Sequence, residues 1–469
     1  MSKFDLPVDR LTTTDETGAR VYVYPADVAG AWRRRRDWFY AAALGAYFGL
    51  PWVRVGGRPP LLFDIPHRRF EILGTTFWAH DGPLVIFVAA GFAISLFAVT
   101  SVLGRVWCGW SCPQTLFIDG LFRRLERLVE GDAASRRRLD DGPLTPRETL
   151  LRTAKWALFA VAALAVALTF LAYFIGTDDL PGVVRSWPGD NTGSFAALLI
   201  STAVVLFDFG WFREQFCTIA CPYGRFQSVL MDDRSTIVGY DAARGEPRAG
   251  AQPGREGDCV NCYRCVQVCP TGIDIRRGVQ MECIACTSCI DACDEVMARL
   301  QRPKGLIRYT SLAELAGRPW SHWNWRTAAY ALALGIYMSA LGWRLHARRD
   351  LFFEVVRAVG APYLQGVAAD GKAEVVNHYD LDLSDQSNED LRVDIGGAPG
   401  GDPRIVYSAP ASPLILKPGT TVRTDLLVTF PKDALRGGKL AGAVRLDTRR
   451  QGSGRGDSQQ EALELVGPF

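Results

Sequence analysis

No cysteine occurs after residue 293 of this 469-residue chain, although twelve occur up to and including it. That distribution is ligand usage and excludes a secreted disulfide scaffold. Histidine and methionine are scarce, five of each, with no tract rich in either. This argues against a soluble copper carrier that scavenges metal with such tracts. No Rossmann glycine fingerprint and no P-loop are present, so no built-in nicotinamide, flavin or ATP site is expected. A large charge excess is missing too: a net +3 is too small to call for a nucleic-acid partner. No apolar stretch precedes the run Arg33-Arg34-Arg35-Arg36, so no cleavable signal peptide is expected.

What the chain does have is a dense cysteine segment. It reads Cys259-Val-Asn-Cys262-Tyr-Arg-Cys265-Val-Gln-Val-Cys269-Pro270, then Cys283-Ile-Ala-Cys286-Thr-Ser-Cys289-Ile-Asp-Ala-Cys293. Both halves have the spacing C-x2-C-x2-C-x3-C of two-cluster bacterial ferredoxins, in which the fourth Cys of each run ligates the other cluster. The spacing assigns one [4Fe–4S] cluster to Cys259, Cys262, Cys265 and Cys293, and a second to Cys269, Cys283, Cys286 and Cys289. Eight cysteines in two identically spaced runs disfavour a zinc module or a disulfide knot. Asp294 stands where a second Pro often follows the crossing ligand.

Apolar stretches occur at 38–53, 83–104, 156–177, 191–207 and 327–343. The second and third are uncharged for 22 residues each, enough to cross a bilayer. The other three are shorter, and aromatic ends (Trp38, Tyr40, Trp52, Trp211, Trp323, Trp325, Trp343) favour interface anchoring. Five spans are therefore expected. Lys and Arg number seven in 1–37, four in 54–82, ten in 105–155, one in 178–190 and fifteen in 213–326. The positive-inside rule then puts the N-terminus, 105–155 and the ferredoxin segment in the cytoplasm, and the C-terminus on the other side.

The fold expected is a multi-pass α-helical membrane protein with a cytoplasmic two-cluster ferredoxin-like domain and a C-terminal all-β immunoglobulin-like sandwich. Its divisions are a cytoplasmic segment 1–37, a four-span domain 38–212, a cytoplasmic segment 213–326 carrying the ferredoxin domain at about 255–300, a fifth transmembrane helix 327–346, and the sandwich 350–469. Residues 241–257 form a Gly/Pro-rich linker into the ferredoxin unit. Short β-rich runs at 351–357, 374–383, 391–395, 404–408, 413–416, 420–430 and 441–447 carry the sandwich expectation. The tail from Arg449, rich in Gly, Ser, Gln and Glu, is expected to be mobile.

The remaining four cysteines form an internal repeat. Trp107-Cys108-Gly-Trp-Ser-Cys112-Pro113 recurs as Phe216-Cys217-Thr-Ile-Ala-Cys221-Pro222, at an offset of 109 residues that also relates Phe117 to Phe226. Each C-x3-C-P motif follows an apolar span. Side by side, the two would gather four thiols at the cytoplasmic membrane surface. Such a set suits Cu(I), zinc or an iron–sulfur cluster. Asp208, near the end of the fourth span, is a candidate functional acid; a solvated helix end close to Arg213 is the competing reading, and Arg105 and Arg213 flank the pairs. His67, His80, His322, His346 and His378 are scattered and read as ordinary histidines.

With these elements in this order, the chain resembles the CcoG/FixG/RdxA family, polyferredoxin-like cytochrome c oxidase accessory proteins. The motifs C-G-W-S-C-P-Q and C-T-I-A-C-P-Y-G with the β-rich tail carry the resemblance, over nearly the whole chain. It implies a bacterial inner-membrane protein with a periplasmic C-terminal domain that supports assembly of a haem–copper oxidase. It also implies cupric reductase activity: Cu(II) reduced to Cu(I), with copper at Cys108, Cys112, Cys217 and Cys221. Implied partners are copper ions, a cytoplasmic electron donor, a copper-exporting P-type ATPase and small membrane proteins. The hairpins also resemble NapH/NosR-type membrane ferredoxins, which implies a quinol-linked electron-transfer subunit as the alternative. A non-catalytic assembly scaffold is the third reading.

Overall fold

The computed structural model describes residues 13–468 except 16, 18, 56, 66–68, 73–74, 79–80, 144, 250–256, 320–323 and 368–372. His67, His80, His322, Trp323 and linker positions 250–256 lie outside the described residues. The chain divides into two units, 1–64 with 88–339, and 65–87 with 340–469.

Three helices are long and apolar enough to cross a bilayer: Gly82–Leu103, Pro146–Ile175 and Thr192–Phe212. They fall on the expected stretches 83–104, 156–177 and 191–207. The middle one starts ten residues before its apolar stretch, because a capping box at Thr145 and Glu148 nucleates it and Pro146 fits its first turn. It stops at Gly176, which takes φ +80. The other two expected stretches are also helical, Ala31–Gly49 and Trp325–His346. The first of these opens on the arginine run and buries Arg36 and Tyr40.

The segment after the first C-x3-C-P motif packs under these helices. Phe117, Ile118 and Phe122 form one apolar core with Phe159, Ala163, Val166 and Phe209. Beside it, Glu126 accepts from Arg213 through both carboxylate oxygens, each at 3.1 Å, and from Arg136 at 2.9 Å. Further on, strand Ile237–Tyr240 pairs antiparallel with Ile307–Thr310. The two cysteine runs lie between these strands in the sequence, so the pairing closes the ferredoxin segment into a loop.

The C-terminal region is β-rich, as expected. One sheet orders strands Val406–Ser408, Thr421–Pro431, Ala373–Asp385 and Leu351–Arg357, with Leu364–Val367 also on Ala373–Asp385. A second orders Leu414–Leu416, Leu391–Gly397, Lys439–Arg450 and Gly456–Val466. Alternate residues from both sheets, such as Val375, Leu381, Val393, Val428 and Leu446, share one buried core. The tail departs from expectation. Residues 456–466 are a full strand paired along Lys439–Arg450. Leu463 and Leu465 enter the core at a spacing of two, and Gln459 donates to the Leu351 carbonyl at 2.9 Å. The polar composition masked that alternation.

Candidate metal centres

The ferredoxin runs fold around two cavities. One is lined by Cys259, Cys262, Cys265 and Cys293. The other is lined by Cys269, Cys283, Cys286 and Cys289, with Cys265 also on its wall. The crossing of Cys269 and Cys293 between runs is therefore present in the fold. Backbone conformation explains the wrapping. Asn261 and Tyr263 flank Cys262 at φ +56 and +57; Ala285 and Thr287 flank Cys286 at φ +52 and +65. Left-handed backbone is uncommon for such residues and costly for a β-branched Thr. Here it curls each run about its middle cysteine.

The donor set fits a metal–sulfur core. The remaining walls are largely apolar, with Val238, Ile273, Ile275 and Ile284 on one cavity and Val260, Val296, Met297, Leu306 and Ile307 on the other. Burial pushes the thiols of Cys265, Cys269 and Cys293 up to about 12 and that of Cys283 up to about 11. Such pockets resist bare thiolates; a bound metal reverses this by taking up the negative charge. Positive charge stands beside each cavity. Arg276 is held by both Asp274 oxygens, at 2.8 and 2.7 Å, over the Tyr263 ring at the first. Arg36 donates to the Cys286 carbonyl at the second. Asp294 accepts from the Gly305 amide at 2.9 Å.

The two C-x3-C-P motifs share one backbone. Cys112 N–H donates to Trp107 O at 2.9 Å, and Cys221 N–H to Phe216 O at 2.7 Å. Both bonds reach five residues back; the second pair sits on a π-helical turn, Phe216–Ala220, and the first on a short α-helix, Val106–Trp110, that widens at its end. Cys112 and Cys221 are both extended before their prolines. The copies also exchange contacts. Gln114, just after Pro113, donates to Asp208 Oδ1 at 2.9 Å and to Arg213 O at 3.1 Å. Tyr223, just after Pro222, hydrogen-bonds Thr100. Each motif thus grips the end of the other copy's span. Asp208 is hydrogen-bonded to Gln114, and the Arg213 side chain turns away to Glu126, so the expectation of a simple solvated helix end is not met.

The four thiols lie in a common neighbourhood. Burial pushes Cys108 up to about 11, and Cys112 and Cys217 upward too, with the other motif cysteines adding to each. Among the described residues, three ligand atoms within 4.8 Å of one another occur at His378, Asp380 and Asp425, on an exposed sheet face. The thiols are spread more widely than that. The first pair also abuts the second cavity. A Cβ on Gly109, between Cys108 and Cys112, would lie 2.6 Å from Ile284 O and 2.8 Å from Ala285 O. Arg105 reaches Cys283 O at 3.4 Å and Gly224 O at 3.1 Å.

Sequence reasoning missed Gln227. It is fully buried and donates from Nε2 to Cys108 Sγ at 3.0 Å. Its counterpart in the repeat is Ile118, so the offset of 109 carried no signal for it. Tyr309 was missed as well; its hydroxyl takes the Trp110 indole N–H at 3.2 Å and donates to Ala285 O at 3.3 Å.

Comparison with known proteins gives the same picture. Residues 212–312 match the family described as "4Fe-4S dicluster domain", and residues 84–130 the one described as "4Fe-4S binding domain". The chain is 35% identical to protein RdxA of Cereibacter sphaeroides over 91% of this chain and 94% of that protein. It is 37% identical to nitrogen fixation protein FixG of Rhizobium meliloti over 75% of this chain and 71% of that one. Protein RdxB of Cereibacter sphaeroides is 35% identical over 86% and 90%. Two [4Fe–4S] clusters are its cofactors. The chain belongs to the CcoG/FixG/RdxA family and is a membrane iron–sulfur electron-transfer protein.

Proposed function

We propose that this protein reduces Cu(II) to Cu(I) in support of haem–copper oxidase assembly. Cys259, Cys262, Cys265 and Cys293 would hold one [4Fe–4S] cluster; Cys269, Cys283, Cys286 and Cys289 would hold the other. When bound, these clusters supply single electrons. The observation that carries the reading is the seating of Gly109 against the Ile284 and Ala285 carbonyls, which brings the first thiol pair to the loop between Cys283 and Cys286. Arg105 ties that loop to the second hairpin through Gly224. Cu(II) is the substrate of Cys108, Cys112, Cys217 and Cys221. It takes one electron, and soft thiolates favour the Cu(I) product.

The wider reading has five spans in a bacterial inner membrane, with helices Ala31–Gly49 and Trp325–His346 as the first and last. The segments 1–37 and 213–326 face the cytoplasm, where a soluble donor delivers electrons. The β-rich region at 350–469 is a periplasmic immunoglobulin-like domain. The Lys/Arg distribution supports this orientation. A copper-exporting P-type ATPase would take the product. Anaerobic protein with reduced clusters should bleach on adding Cu(II) and yield one Cu(I) per electron. The variant with Cys108, Cys112, Cys217 and Cys221 all changed to Ser should bleach only with other acceptors. Undiminished Cu(II) reduction by it would overturn the site.

A second reading is favoured by the match of residues 84–130 to a 4Fe-4S binding family and by the wide spread of the four thiols. In it, the C-x3-C-P cysteines hold a third cluster. Iron analysis separates the two: about eight irons per chain for two cubanes, about twelve for three.

A further inference from the structure

The arginine run at 33–36 does more than mark topology. Arg33 and Arg36 line a polar cavity of about 60 Å³ together with Arg123, Arg124, Arg127 and Arg136. Among the described residues two carboxylates line it, Asp27 and Asp119. Asp119 bridges Arg36 and Arg123, and Asp27 pairs with Arg127 at 3.2 Å. Asp37, Glu126 and Glu214 reach in from behind. Of these, Glu126 is shared with Arg213. Counting Arg213, seven guanidiniums therefore answer five carboxylates.

Three of the lining guanidiniums have donors to spare. Arg36 and Arg136 are 1% and 4% exposed, and the Arg123 side chain 11%. The Nε–H of each has no hydrogen-bond partner. Burying an unpaired charged donor costs stability unless an anion answers it. Planar guanidinium forks match the oxygens of phosphate in two-point contacts.

We propose that this cavity binds a phosphate-class anion and that its occupancy tunes the second cluster. The connection is Arg36. It donates to the Cys286 carbonyl and, at 3.3 Å, to Ser288 Oγ, which lies 3.7 Å from Cys286 Sγ. Ser288 and the segment Val268 to Pro270 around Cys269 form the far wall of the same cavity. An anion beside Arg36 cancels part of its field and adds negative charge, so accepting an electron at Cys269, Cys283, Cys286 and Cys289 becomes harder. This coupling rests on the ligand assignment proposed above; the binding does not. The phosphate has two sources, a soluble phosphate ester or the headgroup of an anionic lipid.

The test uses the full-length protein with its clusters, in nanodiscs of phosphatidylcholine alone or mixed with phosphatidylglycerol. Inorganic diphosphate is titrated calorimetrically, and both cluster potentials are followed by EPR. The comparison variant is Arg124→Gln with Arg127→Gln; these side chains are 46% and 50% exposed and pair with Asp37 and Asp27. Wild type should bind diphosphate saturably, and the double variant roughly tenfold more weakly or worse, with unchanged iron and sulfide content. One potential should fall on saturation. Binding in both lipid mixtures points to a soluble ester. Binding only without phosphatidylglycerol, with that lipid retained in native mass spectra, points to a headgroup. Absence of both diphosphate binding and lipid retention, or equal binding by the double variant, overturns the site. Saturation with neither potential moving overturns the coupling. Cu(II) reduction, read separately, can fail or survive independently of each result.

Discussion

Four residues before Cys108 the chain turns through Gly104 at φ +57; four residues before Cys217 it turns through Arg213 at φ +50. Both turns take a positive φ, yet the residues are opposites. At Gly104 a Cβ would lie 2.1 Å from the Thr236 carbonyl, since residues 235 and 236 cover the last carbonyls of helix Gly82–Leu103. Glycine satisfies both the dihedral and the space. At Arg213 the space is filled by its own guanidinium, which is 2% exposed and clamped on Glu126. The second copy accepts a strained dihedral because the ion pair holds it there. The turn is the invariant of the repeat, and each copy secures it with its own surroundings.

Making the second copy like the first is the strongest way to break this comparison. Arg213→Gly removes the backbone strain, worth roughly 1 kcal/mol, but leaves Glu126 with only Arg136 and the Tyr22 hydroxyl and empties a buried volume. Stripping one partner from a buried pair costs about 3–5 kcal/mol, so net destabilisation is expected. Thermal unfolding of the detergent-solubilised protein measures it. Equal or greater stability would mean that strain, not the ion pair, dominates at this turn.

The reciprocal change at the first copy should cost somewhat less. Gly104→Ala adds about 1–2 kcal/mol of left-handed strain and forces the Thr236 carbonyl aside. A loss of roughly 2–3 kcal/mol is expected, with Cu(II) reduction falling because Cys108 shifts with the turn. An unchanged melting temperature would show that the 235–236 segment yields freely.

These differences also show what the sequence could carry. Cysteine spacing anticipated which cysteines line each of the two cavities, Cys269 and Cys293 crossing between runs included, because that spacing is a short-range constraint. The 109-residue offset exposed the hairpin repeat because Cys and Pro recur at fixed steps. The positive φ at Arg213 was not legible, since nothing in the residue type announces it. The Arg213–Glu126 pair joins positions 87 apart and depends on the packed core around Phe122 and Phe159. Gln227 was hidden for the same reason: its partner, Cys108, is 119 positions away. The strand Gly456–Val466 was lost behind Gly, Ser, Gln and Glu, although Leu463 and Leu465 carried its period.

Gln227 sharpens the comparison at the thiols themselves. Gln227→Ile makes the second copy match Ile118 of the first. The fully buried amide loses its place, and Cys108 loses the hydrogen bond that works against burial in setting its acidity. Stability should change by no more than about 1 kcal/mol, while Cu(II) reduction should drop roughly fivefold, the worth of one hydrogen bond. A full-rate variant would place Gln227 in packing alone.

The smallest effect expected is the pH response of the second copy's anchor. Burial alone would raise the Glu126 carboxyl, but Arg213 and then Arg136 outweigh it and hold the group at about 2, against an ordinary 4.5. A carboxylate depressed in the folded state contributes stability in full above the unfolded value and loses it as pH falls toward the folded one. The window is therefore about 4.5 down to about 2, below the working range. Wild type and Glu126→Gln should differ by the same amount at pH 8, 7 and 6, through loss of the buried charge pair. Unfolding midpoints at those three values check this. If the gap instead widens as pH falls toward 6, Glu126 is taking up a proton in the folded state, and the ion pair cannot be what fixes Arg213 in its turn.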